Sequence, residues 1–122
     1  MGIRRDLWAA VFPSNEELNL LYNSVEYLLY PSSYEGFGIP ILEAQRSGCP
    51  VITLNNSSIR EVSGGYTLLM ESANISEFKK KNEILSHNLI KEQIIAAGLE
   101  NAKRFSWDKM SNQYLDLYNS IR

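Results

Sequence analysis

A chain of 122 residues, 44% of them hydrophobic and 21% charged, has the size and composition of one globular domain. Its formal charge of -2, with 12 Lys and Arg against 14 Asp and Glu, creates no global field for nucleic acid or an anionic membrane, so any phosphate recognition is local. One cysteine, Cys49, excludes an intrachain disulfide or a cysteine zinc cluster, and no stretch approaches the ~18 apolar residues of a membrane span or forms a signal peptide.

In chain order, residues 1–13 read as an N-terminal segment left from a preceding unit, and 14–122 as a partial α/β domain. Ser14 or Asn15 caps a helix over about residues 15 to 24, with Glu16 and Glu17 at the positive end of its dipole and Leu18, Leu21, Tyr22 and Val25 at helical spacing. The short run Tyr27-Leu28-Leu29-Tyr30, closed by Pro31-Ser32-Ser33, predicts a buried strand. Pro40 to Ser47 predicts a second helix, with Pro40 in its first turn and Gly48 just past its end. Val51-Ile52-Thr53-Leu54 is the next buried strand, followed by a polar loop, Asn55-Asn56-Ser57-Ser58. Gly64-Gly65 turns into a third strand, Tyr66 to Met70. Helices are then expected over about 75 to 87 and 89 to 104, and a last one from Trp107, capped by Ser106.

Strand, helix and strand joined by short links mean parallel strands with right-handed crossovers, the α/β architecture. About three strands are present and the chain opens on a helix, so the expectation is a partial Rossmann-like parallel sheet with flanking helices. Ligands of such sheets bind outside the carboxyl ends of the strands. The segment Pro31 to Gly38 follows the first strand on that edge and runs into the helix at Pro40. Gly36 and Gly38 permit a tight corner, and the helix amino terminus offers free amides to an anion such as a pyrophosphate. Glu35 before the helix and Glu43 inside it can face one cleft, where carboxylate oxygens match adjacent hydroxyls of a sugar or ribose. Ser32, Asn55 and Ser57 lie near the same edge and are secondary candidates.

The run Glu35-Gly36-Phe37-Gly38-Ile39-Pro40-Ile41-Leu42-Glu43-Ala44, followed by Gly48-Cys49-Pro50-Val51-Ile52, resembles the signature of retaining glycosyltransferases of family 4, which have the GT-B fold. The likeness extends upstream through Glu16-Glu17-Leu18, Leu21-Tyr22 and Tyr30-Pro31-Ser32, and downstream through Glu61-Val62, Gly64 and Phe105-Ser106-Trp107. It implies the C-terminal half of a GT-B donor lobe, its acceptor lobe lying N-terminal. It also implies a retaining transfer from a UDP-sugar or GDP-sugar to a saccharide or lipid-linked acceptor, without a metal or other cofactor. Residue by residue, it implies that Glu35 contacts the transferred sugar as the catalytic-site acid. Gly36, Phe37, Gly38 and Ile39 would approach the sugar and diphosphate, and Glu43 would hold the ribose hydroxyls. A soluble, cytoplasmic enzyme is expected, reaching a membrane only peripherally through the acceptor lobe, and the 122 residues alone are expected to be inactive.

The family's diphosphate-binding Arg and Lys have no recognisable counterpart, since Arg4 and Arg5 are not set in such a motif. That departure motivates the alternative, a non-catalytic nucleotide-sugar-binding or interaction module. Gln45-Arg46-Ser47 stand where small or apolar residues are common, and Arg60 where proline is frequent; both are read as tolerated. Cys49 reads as a core residue and His87 as a surface one. Lys79-Lys80-Lys81, interleaved with Glu77 and Glu83, read as a solvated helix face rather than a nucleic-acid site. The last helix carries an apolar stripe of Tyr114, Leu115, Leu117, Tyr118 and Ile121; this stripe and the edge of the first strand are where self-association is expected.

Overall fold

Each segment becomes regular where its backbone ends are satisfied. In the computed structural model, which describes residues 9–33, 36–65 and 67–121, residues 9–14 form no helix or strand. Helix α1 (Asn15–Ser24) then starts with a capping box: Ser14 accepts from the Glu17 amide and the Glu17 carboxylate accepts from the Ser14 amide. Strand β1 (Leu28–Tyr30) leads through the corner to α2 (Ile39–Arg46). That helix stops in a Schellman arrangement, in which the Gly48 amide donates to Gln45 O and the Cys49 amide to Ala44 O, with Gly48 at φ 71°. Strand β2 (Val51–Leu54), helix α3 (Ser57–Ser63) and strand β3 (Leu68–Met70) follow, then α4 (Ile75–Leu85), α5 (Asn88–Ala102) and α6 (Trp107–Ile121).

The sheet is parallel in the order β1-β2-β3, with Leu28 opposite Val51 and Ile52 opposite Leu68. Side chains alternate across it, so it separates two cores. Val51 joins Tyr22, Ile41, Ala44, Cys49 and Ile59 on the face covered by α1, α2 and α3. Ile52 and Leu54 join Leu68, Met70, Leu85 and Ile94 on the face covered by α4 and α5. Every residue of β2 is buried, as two-faced coverage of a central parallel strand requires. The expected Rossmann-like arrangement of three parallel strands with flanking helices is therefore present.

Four expectations need correction. The polar loop ends at Asn56, because its side chain accepts from the Ile59 amide and nucleates α3, in which Ile59 and Val62 are buried. Strand β1 is not fully buried: it lies at the sheet edge and Leu29, on the second face, is 43% exposed. The helices after β3 are shorter or shifted. His87 stands between α4 and α5, exposed, with its carbonyl accepting from the Lys91 amide. The third strand begins at Leu68, and Tyr66 lies outside the described residues.

Helix α5 ties the two faces together. Ile94 belongs to the second core, while Asn101 donates to Gln45 Oε1 on α2 at 2.7 Å and to the Val62 carbonyl on α3 at 2.8 Å. Gln45 in turn donates to the Ser63 carbonyl at 2.9 Å. Gln45, Asn101 and Ser63 are all buried, so this polar knot is held in a low-dielectric setting with its amides satisfied. Gly98 allows the approach, since a Cβ there would sit 3.2 Å from Gln45 Cγ. The tolerated Gln45 of the sequence is thus a structural centre.

Candidate functional site

The parallel register brings the ends of all three strands to one edge, and asparagines bridge them laterally. Asn56 Nδ2 donates to the Ser32 carbonyl at 3.2 Å, joining the segments after β1 and β2. Asn55 Nδ2 donates to Glu71 at 2.8 Å, joining those after β2 and β3, and its Oδ1 accepts from Arg60 Nε at 3.0 Å. Asn55 is therefore engaged within the edge itself. Ser57 is the first residue of α3, and its side chain lies outside the described set.

Of the candidate corner, Tyr34 and Glu35 lie outside the described residues. The two glycines behave differently. Gly36 is exposed, and a Cβ there would meet nothing within 4 Å. Gly38 is buried at φ 85°, caps α2 by its backbone, and would place a Cβ 3.3 Å from Ile41. A side chain at this left-handed position would be strained, so the corner depends on Gly38. Phe37 and Ile39 flank it, 45% and 50% exposed.

Glu43 lies one turn into α2, partly buried, and its Oε2 accepts from the Tyr22 hydroxyl at 3.2 Å. Burial and the neighbouring Glu43 carboxylate push the Tyr22 hydroxyl up to about 12, so it remains a proton donor. Glu43 also lines an open groove of about 520 Å3 between α2 and the start of α6, with Phe37, Ile39, Leu42, Trp107 and Met110 among its walls. Phe37 meets Phe105 edge-on at 5.6 Å, Arg104 lies 4.8 Å over the Phe105 ring, and Arg46 donates to the Phe105 carbonyl. The groove reaches Phe37, Ile39 and Glu43 but not Ser32 or Asn55, so the structure gathers the candidates into two neighbouring sets. Chemically, the first set offers a carboxylate beside aromatic walls, with one oxygen held by Tyr22 and the other without a hydrogen bond among the described residues. Such a carboxylate accepts from paired hydroxyls.

Tyr22 and Phe105 were readable only as members of an apolar helix face and of a motif. Their partners are 21 and 68 positions distant in sequence, and spacing alone does not reveal them. Cys49 is buried, and burial pushes its thiol up, in keeping with a core residue. Among the described residues, no group of three metal-ligating side chains occurs, and no helix is long and apolar enough to cross a membrane.

Residues 9–104 match the profile of a family described as Glycosyl transferases group 1. The chain is 36% identical over 108 residues to O-antigen chain mannosyltransferase B of Escherichia coli, covering 88% of this chain and 28% of that protein. It is 28% identical over 111 residues to the serotype-specific mannosyltransferase WbdA of Escherichia coli, covering 90% of this chain and 14% of that one. It is also 28% identical over 112 residues to a D-inositol 3-phosphate glycosyltransferase of a Nocardioides species, covering 89% and 24%. The chain thus spans between 14% and 28% of the lengths of these relatives.

Proposed function

Because the chain belongs to the group 1 glycosyltransferases, we propose that it forms the donor-binding part of a retaining glycosyltransferase. In this reading it grips a nucleoside-diphosphate sugar whose glycosyl group passes to a saccharide or lipid-linked acceptor held by an N-terminal lobe. The carrying observation is Glu43, set one turn beyond the Gly38 corner, lining the groove and hydrogen-bonded on one oxygen only among the described residues. Its second oxygen suits the vicinal hydroxyls of ribose. Glu35 is proposed as the acid beside the transferred sugar, where it positions the donor and stabilises charge that develops at the anomeric carbon. Gly36, Phe37, Gly38 and Ile39 line the approach of the sugar and diphosphate. Ser32, Asn55 and Ser57 are left a supporting role at the strand ends.

Two of the relatives are mannosyltransferases, so a mannosyl donor is the first to try. No metal or cofactor takes part in the proposed transfer, the enzyme works in the cytoplasm, and the 122 residues alone do not turn over. Titration calorimetry of the full-length protein with UDP and GDP tests the donor site. One of the two binds, and Glu43→Ala weakens it by about ten- to a hundredfold, the loss expected for hydrogen bonds to a charged acceptor. No binding of either nucleotide, or an unchanged affinity in the variant, refutes the assignment. A mass-detected donor screen on the same protein, repeated with EDTA, gives equal product if the transfer is metal-independent.

A further inference from the structure

Resting on that reading of Glu43, we infer that Tyr22 is a positioning residue that sets the rotamer of the Glu43 carboxylate and reserves one of its oxygens for the nucleotide's ribose. The ring of Tyr22 is 7% exposed and packed in the core with Ile41, Ala44, Cys49, Val51 and Ile59, so it has little freedom to move. Its hydroxyl, carried to the rim of that core, reaches Glu43 Oε2 at 3.2 Å. A buried phenol needs such a partner, and here the partner is the acid that faces the groove. Among the described residues, Tyr22 is the only side chain that hydrogen-bonds this carboxylate.

The choice of a neutral donor matters. A lysine or arginine at this place would fix the carboxylate but neutralise it, weakening its attraction for hydroxyl hydrogens. A phenol fixes one oxygen and leaves the negative charge in place. With the hydroxyl held as a donor up to about 12, the arrangement is constant throughout the neutral range. One turn away, the single hydroxyl hydrogen of Ser47 is shared between the Glu43 carbonyl at 3.1 Å and Asn19 Oδ1 at 3.4 Å. Helix α1 therefore meets α2 at two rungs, Asn19 with Ser47 and Tyr22 with Glu43, and only the second touches the carboxylate. The first rung supplies the control.

Titrations of the full-length protein use the better-bound nucleoside diphosphate and its 2′,3′-dideoxy analogue. Tyr22→Phe, which keeps the ring, is expected to weaken the natural nucleotide about five- to tenfold, one hydrogen bond's worth of orientation. It leaves the dideoxy analogue unchanged and has no further effect in a Glu43→Gln background. Asn19→Ala, which cuts the other rung, lowers the melting temperature without changing the ratio between the two ligands. An equal loss for both ligands in Tyr22→Phe, or no loss while Glu43→Ala still weakens binding, overturns the inference and leaves the donor site standing. If Glu43→Ala itself changes nothing, both fall together.

Discussion

Tyr22 is also where solution pH enters the stability of the fold. Burial and the adjacent Glu43 raise its hydroxyl from 10.0 to about 12, so the unfolded chain releases this proton first as pH rises. The contribution of the group is fully present below pH 10 and is lost progressively between pH 10 and about 12. Denaturant titrations across that window should show stability falling less steeply for Tyr22→Phe than for the wild type; parallel slopes would contradict the assignment. At this scale the sequence was legible where a residue acts alone and opaque where it acts through a partner. Gly38, Pro40, Gly48 and Ser14 announce their roles, because φ, a missing amide hydrogen or a cap is set within a few positions. Gln45 looked like a tolerated departure because its partner Asn101 is 56 residues on.

Among the elements, β2 and the two helices before it follow from their composition, whereas α3 does not. Asn55-Asn56-Ser57-Ser58 has the composition of a turn, and the helix it starts has seven residues, too few for a periodic pattern to stand out. What shows it is a helix is the bond from the Ile59 amide to the Asn56 side chain. Its exit is equally specific. Gly64 has φ 70°, and a Cβ there would lie 2.4 Å from Asn101 Oδ1. Gly64→Ala should therefore cost about 2–4 kcal/mol, from left-handed strain together with a forced shift of the polar knot. Asn101→Ala should cost a similar amount, about 2–4 kcal/mol, since it strips partners from Gln45 and from the Val62 carbonyl at once. Chemical denaturation measures both, and a cost below 1 kcal/mol in either would show that the knot relaxes freely.

Taken whole, the molecule has a well-buried centre and an open flank. The centre was legible: three parallel strands, the helix after β1 and the placement of Glu43 one turn into it all follow from motif and spacing. The flank was legible in part, as an apolar stripe that is exposed among the described residues. Tyr114, Leu115, Leu117, Tyr118 and Ile121 are each more than half exposed, and no residue of α6 is buried. The edge strand β1 adds a row of backbone groups without a strand partner among the described residues. We expect the 122-residue chain to self-associate through one of these surfaces; sedimentation showing a monomer up to high concentration would contradict that.

The bareness of α6 also bears on its own persistence. A helix of 15 residues with no buried side chain is near the length at which isolated helices are marginal in water, so burial of its stripe in an assembly would strengthen it. Self-association through this row would then couple the winding of the segment to its burial. In a dilution series the ellipticity of α6 should fade together with the assembled fraction, while the sheet and its polar knot keep theirs.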